Sequence, residues 1–297
     1  MSNFQEQLEK VESKNGFIAA LDQSGGSTPK ALKLYGVDPK SWGDDEQMFD
    51  LVHEMRTRIV TSPAFQGDRI LASILFENTM DRLVQGIPTA QYLWEKKGVI
   101  PILKVDKGLS EENDGVQLMK PMPDLDTLLE KAKKAGIFGT KMRSVIKEHS
   151  VSGIDKVLDQ QFELGSHICD SGLVPIIEPE VDIYCSEKKE AEKALVGGVL
   201  KRLSALATSQ KIILKLTLPE QNDLYYPCVK HKNIARVVAL SGGYSRDIAN
   251  KRLAENQGVI ASFSRALTEG LSASQSDETF NATLASSINE IYQASCK

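Results

Sequence analysis

This sequence has no long apolar run. Its uninterrupted hydrophobic stretches are strand-sized, far short of the roughly 20 residues that a membrane-spanning helix requires, so no membrane association is expected. The opening segment, Met1 to Lys14, is polar and charged, with Phe4, Leu8 and Val11 at helical spacing. It lacks the apolar core of a secretory signal. Cysteine is scarce. Cys169, Cys185, Cys228 and Cys296 form no CxxC pair and no disulfide-like density, which fits a reducing cytoplasm. Histidine is equally sparse. His53, His149, His167 and His231 show no HExxH or other close ligand spacing, so no metal and no cofactor is expected. His53 and His167 fall in helical patterns and read as packing or surface residues. There is no excess of positive charge: 36 Lys and Arg against 40 Asp and Glu give a net charge of −4. Nucleic acid is therefore not an expected partner, and any anionic ligand must be met by a local cluster. No GxGxxG follows a strand-like run, which removes the main signature of a dinucleotide-binding doubly wound sheet.

What the chain does have is alternation. Hydrophobic residues make up 41% and charged residues 26% of 297 residues, enough for a sizeable core. Short apolar runs at 17–21, 70–76, 99–105, 138–142, 173–177, 212–216, 237–240 and 259–263 read as buried parallel strands. Helical patterns lie between them, at 44–60, 153–171, 186–207 and 244–255, and a last helix ends the chain. Ser186 is expected to N-cap its helix, with Glu187 in the first turn. Eight strand–helix units, with no linker rich in Pro, Gly or Ser, predict an α/β fold. The expected architecture is one (β/α)8 barrel domain over 1–297. The irregular stretches 77–87 and 107–124 follow strands, on the face where such barrels carry their active sites.

The polar residues fall at the ends of these runs. Asp22 ends the first; Lys104 and Asp106 end the third; Lys141 and Arg143 end the fourth; Glu178 and Glu180 end the fifth. Lys215 lies inside the sixth, Ser241-Gly242-Gly243 ends the seventh, and Arg265 follows the eighth. A closed barrel brings all of them to one mouth. Lys215 is the most telling. Burial disfavours the charged form of an amine, and a neutral amine attacks carbonyls to give a Schiff base. Taken alone, the same lysine also fits an edge strand with its stem packed and its head in water. Glu178 and Glu180 share one side of their strand and fit proton transfer or salt bridges to Lys141 and Arg143. The Ser-Gly-Gly turn before a helix, with Arg265 in the next unit, fits a phosphate. A second glycine-bearing turn at 22–27 reads by itself as an ordinary turn with solvated charges, and with Lys30, Lys104 and Arg143 it also fits another phosphate. Phosphate sites on both sides of a reactive lysine point to a bisphosphorylated sugar.

The ordered motifs LDQSGGS, ILFENTM, LKVDKG, FGTKMR, VPIIEPE, ILKLT, LSGG and FSRAL resemble class I fructose-bisphosphate aldolase, the Schiff-base type, in its shorter bacterial form. The resemblance runs from Phe17 to Leu267 and implies a role at each matching position. Lys215 forms the Schiff base at C2 of the open-chain sugar. Glu178 is the main proton-transfer carboxylate, with Glu180 as its partner near the lysine. Lys141 supports the carbinolamine, and Asp22 contacts the C4 hydroxyl. Ser241, Gly242 and Arg265 hold the C1 phosphate, while Ser24, Ser27, Lys104 and Arg143 lie near the C6 phosphate. Implied partners are phosphorylated ketose and triose substrates and a homo-oligomeric assembly. Three positions depart from the animal enzymes. Gln23 replaces a glutamate, Ala31 replaces a phosphate-facing arginine, and the chain lacks the tail with a terminal tyrosine. Tyr292 reads as structural, and Tyr244 is an unassigned aromatic beside the Ser-Gly-Gly turn. Tagatose 1,6-bisphosphate is an alternative substrate, differing at C4. A phosphosugar isomerase on the same barrel would use the two glutamates without forming an imine.

Overall fold

The computed structural model describes residues 2–297. Helix α1 (Asn3–Ser13) precedes β1 (Phe17–Leu21), α2 (Ser27–Leu34), α3 (Asp45–Thr61) and β2 (Ile70–Leu75). Then come β3 (Ile100–Lys104), α4 (Leu125–Lys134), β4 (Gly139–Ile146), α5 (Val151–Asp170), β5 (Val174–Val181) and α6 (Lys188–Leu203). The chain continues through β6 (Ile212–Thr217), β7 (Ile234–Leu240), α7 (Arg246–Leu253) and β8 (Val259–Phe263) to α8 (Asp277–Ser295). Each of the eight strands pairs in parallel with the next, and β8 pairs with β1. The sheet therefore closes into the expected barrel.

Strand side chains alternate between faces, so one register per strand fills the barrel interior. At the lower levels that register is apolar: Ile18 and Ala20 on β1, Ile100 and Ile102 on β3, Ile176 on β5, Ile213 on β6 and Ile260 on β8 all belong to one buried cluster. Two residues further along the same registers stand Asp22, Lys104, Glu178, Lys215 and Ser262. Lys141 joins that level through its in-register pairing with Lys104, while its neighbour on the other side, Ile176, lies one layer lower. Full burial of an aliphatic side chain contributes about 1.5–3 kcal/mol. The apolar layers thus form a rigid floor that offsets the cost of a dehydrated polar layer above it.

The opposite end is closed by α1. Val11 is buried against the interior cluster. Lys10 donates from Nζ to the Gly67 and Gly98 carbonyls at 2.6 Å, and Arg236 Nε donates to the Val11 carbonyl at 2.7 Å. One expectation fails. Helix α6 begins at Lys188, with Glu187 rather than Ser186 at the cap position and no side-chain cap bond. Its start is fixed instead by the buried Lys188, which donates to the Leu218 carbonyl at 2.8 Å and pairs with Glu192. A buried ammonium must keep its partners, and that outweighs a surface cap.

Candidate active site

The polar layer opens into a cleft of about 590 Å³ lined by the ends of the barrel strands and by α2. At its base lie two buried lysines and two buried carboxylates. Glu178 bridges the lysines: Lys215 Nζ lies 3.0 Å from Oε1, and Lys141 Nζ lies 2.8 Å from Oε2. Lys141 also reaches Asp22 Oδ2 at 2.8 Å. Lys215 is only 4% exposed, so it is not a solvated edge residue.

Charge balance explains how the sequence tolerates this cluster. Burial works against ionisation of Lys141, but Asp22, Glu178 and Asp106 outweigh it and hold its pKa above the ordinary lysine value. Burial likewise opposes ionisation of Asp22, and Lys141 and Lys215 overcome it, keeping that carboxyl below the usual carboxylate range. At neutral pH Lys141 is an ammonium and Asp22 a carboxylate.

Around this base stand the remaining expected residues. Lys104 donates to the Asp106 carboxylate and carbonyl, both at 2.7 Å. Arg143 pairs with Glu180 at 2.9 Å. Burial pulls the Arg143 guanidinium down, but Glu180 and Glu178 raise it above its usual value. Glu180 is thus held by Arg143, and Glu178 is the carboxylate that lies between the two lysines. After β7, Gly242 and Gly243 adopt φ of +61° and +126°. A Cβ on Gly242 would sit 2.6 Å from Ile183 Cγ2, and one on Gly243 would sit 3.3 Å from Arg265 Nη2. Only glycine fits there, and the turn therefore presents backbone beside an exposed guanidinium. In the turn after β1, the Ser27 hydroxyl donates to the Ser24 carbonyl at 2.8 Å and accepts from the Ser24 amide at 2.9 Å. Asp22, Ser24, Ser27, Lys104, Lys141, Arg143, Glu178, Glu180, Lys215, Ser241, Gly242 and Arg265 all line the one cleft. Lys30 and Ala31 line it too.

Two aromatics stand apart from this group. The Tyr244 ring is covered by the Arg252 guanidinium at 4.6 Å. Tyr292 lies on α8 next to α1, with Arg69 over its ring at 5.9 Å. Sequence reasoning also missed a buried group. Arg56 on α3 is 1% exposed, and burial pushes its pKa down to about 10 although Asp22 opposes the shift. It donates to the Gln23 carbonyl and to Thr79 Oγ1 at 2.6 Å. The available signal was its place in the helical stripe, four residues after Val52 and three before Ile59. Among the described residues, no group of three or more His, Cys, Asp or Glu side chains is arranged to hold a metal ion, and no helix is long and apolar enough to cross a membrane.

The family model described as fructose-bisphosphate aldolase class-I matches residues 5–239. A fructose-bisphosphate aldolase class 1 from Synechocystis is 65% identical over 98% of this chain and 97% of its own length. Proteins of the same name from Porphyromonas gingivalis and Clostridium acetobutylicum are 54% and 55% identical, over 98% and 97% of this chain and 99% and 98% of theirs. The structure superposes on an aldolase from Plasmodium falciparum with a TM-score of 0.79 at 20% identity, covering 98% of this chain and 93% of that one, a likeness of fold. With this match along nearly its whole length, the chain belongs to the class I fructose-bisphosphate aldolase family.

Proposed function

We propose that Lys215 is the imine-forming residue and that Glu178, Lys141 and Asp22 carry out the proton and charge work around it. The reaction is the reversible cleavage of fructose 1,6-bisphosphate through a lysine Schiff base. The observation that carries the assignment is the Glu178 carboxylate, held between Lys215 at 3.0 Å and Lys141 at 2.8 Å at the floor of the cleft.

Glu178 takes a proton from the Lys215 ammonium, and the freed amine attacks C2 of the open-chain sugar. Lys141 remains an ammonium and stabilises the negative charge developing on the carbinolamine oxygen. A proton passes from the carbinolamine nitrogen to that oxygen, Glu178 returns its own proton to the resulting hydroxyl, and water leaves as the iminium forms. Asp22 then accepts the C4 hydroxyl proton. The C3–C4 bonding pair flows into the iminium, giving an enamine and releasing glyceraldehyde 3-phosphate. Protonation of the enamine and hydrolysis of the resulting iminium free dihydroxyacetone phosphate and restore Lys215. Ser241, Gly242 and Arg265 receive the C1 phosphate. Lys104, Arg143, Ser24 and Ser27 form the C6 end, with Glu180 orienting Arg143.

The preferred sugar is fructose 1,6-bisphosphate, which is supported by the name that the relatives at 54–65% identity share. The test is cleavage of the fructose and tagatose bisphosphates in EDTA. A kcat/KM at least tenfold higher for fructose supports the reading, and equal values overturn the preference. Lys215→Ala removes activity on both sugars if the lysine assignment is right.

A further inference from the structure

Gln23, in the turn after β1, lines the cleft. Its side-chain amide has two polar neighbours, a donor-only guanidinium and a hydroxyl that can both donate and accept. On one side lies the Arg56 guanidinium, with Nη2 3.3 Å from Gln23 Oε1 and also donating to the Gln23 carbonyl. On the other lies the Ser264 hydroxyl, 2.5 Å from Gln23 Nε2. A guanidinium has only donors, so the amide oxygen must face Arg56 and the amide nitrogen must face Ser264. The orientation of the amide follows from chemistry alone. Arg56 is itself buried, its Nε has no partner, and among the described residues no carboxylate lies within ion-pair distance of it. Gln23 and Thr79 are what holds it.

The consequence reaches the cleft. Because Ser264 Oγ accepts from Gln23, its own proton is free to be donated elsewhere. Ser264 lines the cleft immediately before Arg265. We infer that Gln23 is a positioning residue which, oriented by Arg56, fixes the Ser264 hydroxyl as a donor to a phosphate oxygen of the substrate beside Arg265. A glutamate at this position would reverse the polarity. Its carboxylate would pair with Arg56 and accept the Ser264 proton, taking that donor away from the ligand. The inference rests on the placement of the C1 phosphate beside Arg265 proposed above.

A double-mutant cycle tests it with Gln23→Glu, Ser264→Ala and the double variant. The readouts are kcat and KM for fructose 1,6-bisphosphate and the inhibition constant of inorganic phosphate. Gln23→Glu is expected to raise KM and the phosphate constant about tenfold, the size of one lost hydrogen bond to a charged group, with kcat changed less than threefold. Ser264→Ala is expected to do the same, and the double variant no more than either single change. Effects that multiply in the double variant would overturn the relay, since a negative charge at position 23 would then act on the substrate directly. An unchanged KM in Gln23→Glu would overturn it too. Melting temperatures separate both results from a folding defect. Borohydride trapping of a dihydroxyacetone phosphate adduct on wild-type Lys215 tests the underlying site by itself. Its absence would overturn that site and, with it, the relay's assignment to a substrate phosphate.

Discussion

Replacing Lys141 by methionine isolates the electrostatic core of the site. The substitution keeps most of the volume and removes the cation that lies 2.8 Å from both Asp22 and Glu178. Glu178 keeps Lys215 at 3.0 Å, so the group that loses its ion-pair partner is Asp22, which is 8% exposed and keeps only the charges of Lys215 and Lys104 without an ion-pair contact. Two routes give the size of the loss. Removing one partner of a buried pair costs about 3–5 kcal/mol. Alternatively Asp22 takes up a proton, and holding an aspartate of ordinary pKa near 3.9 protonated at pH 7 costs roughly 4 kcal/mol at 1.36 kcal/mol per pH unit. At about 2 °C per kcal/mol for a chain of this size, the melting temperature should fall by roughly 6–10 °C at pH 7. The pH dependence gives a sharper check. In the wild type the Asp22 pKa is depressed, so its contribution is fully present above its unfolded value and is lost only as pH falls through the folded one. Between pH 7 and pH 5 that contribution is flat. In the variant the penalty of protonation shrinks as pH falls, so the deficit should narrow by roughly 3 kcal/mol between pH 7 and pH 5. Calorimetry of both proteins at the two pH values makes the measurement. A variant melting within 2 °C of wild type at pH 7 (less than about 1 kcal/mol) would refute the reasoning, and a deficit that does not narrow would refute the protonation route and show Asp22 to stay ionised.

Other predictions address the chemistry and the phosphate turn. Glu178→Gln should lower kcat by about 10²–10⁴ and alter the pH–rate profile for cleavage; a profile superimposable on wild type would remove Glu178 from proton transfer. Arg265→Ala should raise KM for fructose 1,6-bisphosphate roughly 10- to 100-fold, the worth of a charge-assisted bond, and an unchanged KM would move the phosphate elsewhere. Gly242→Ala places a Cβ 2.6 Å from Ile183 at a φ of +61°. Strain of about 1–3 kcal/mol is expected, read as a lower melting temperature together with a higher KM, and wild-type values of both would show the turn to be unconstrained.

The barrel was legible because its strands are short apolar runs bounded by turns. β1 and β8 match their expected limits. The misses have physical causes. β4 and β5 extend four residues past the apolar runs, to Ile146 and Val181, because their ends carry charged residues that a hydrophobic pattern excludes. β7 begins at Ile234 rather than 237, since the inward register is interrupted by Arg236, which reaches back to α1. The cleft residues were legible for the same reason that the strand ends were misjudged: charge sits where core residues should. Pairing was not. Nothing in Glu178-Pro179-Glu180 says which carboxylate lies between the lysines and which meets Arg143, because that depends on barrel closure. Arg56 escaped because an arginine on an amphipathic helix usually lies on the wet face, and its burial depends on the turn after β1. The cap at Ser186 was a local signal overridden by the buried Lys188 network.

The most direct test of the central claim is borohydride reduction with dihydroxyacetone phosphate in EDTA, followed by peptide mass mapping. A reduced triose phosphate adduct is expected on Lys215, and none in Lys215→Ala. An adduct on Lys141 or Lys104 instead, or none on folded protein that cleaves the sugar, would contradict it.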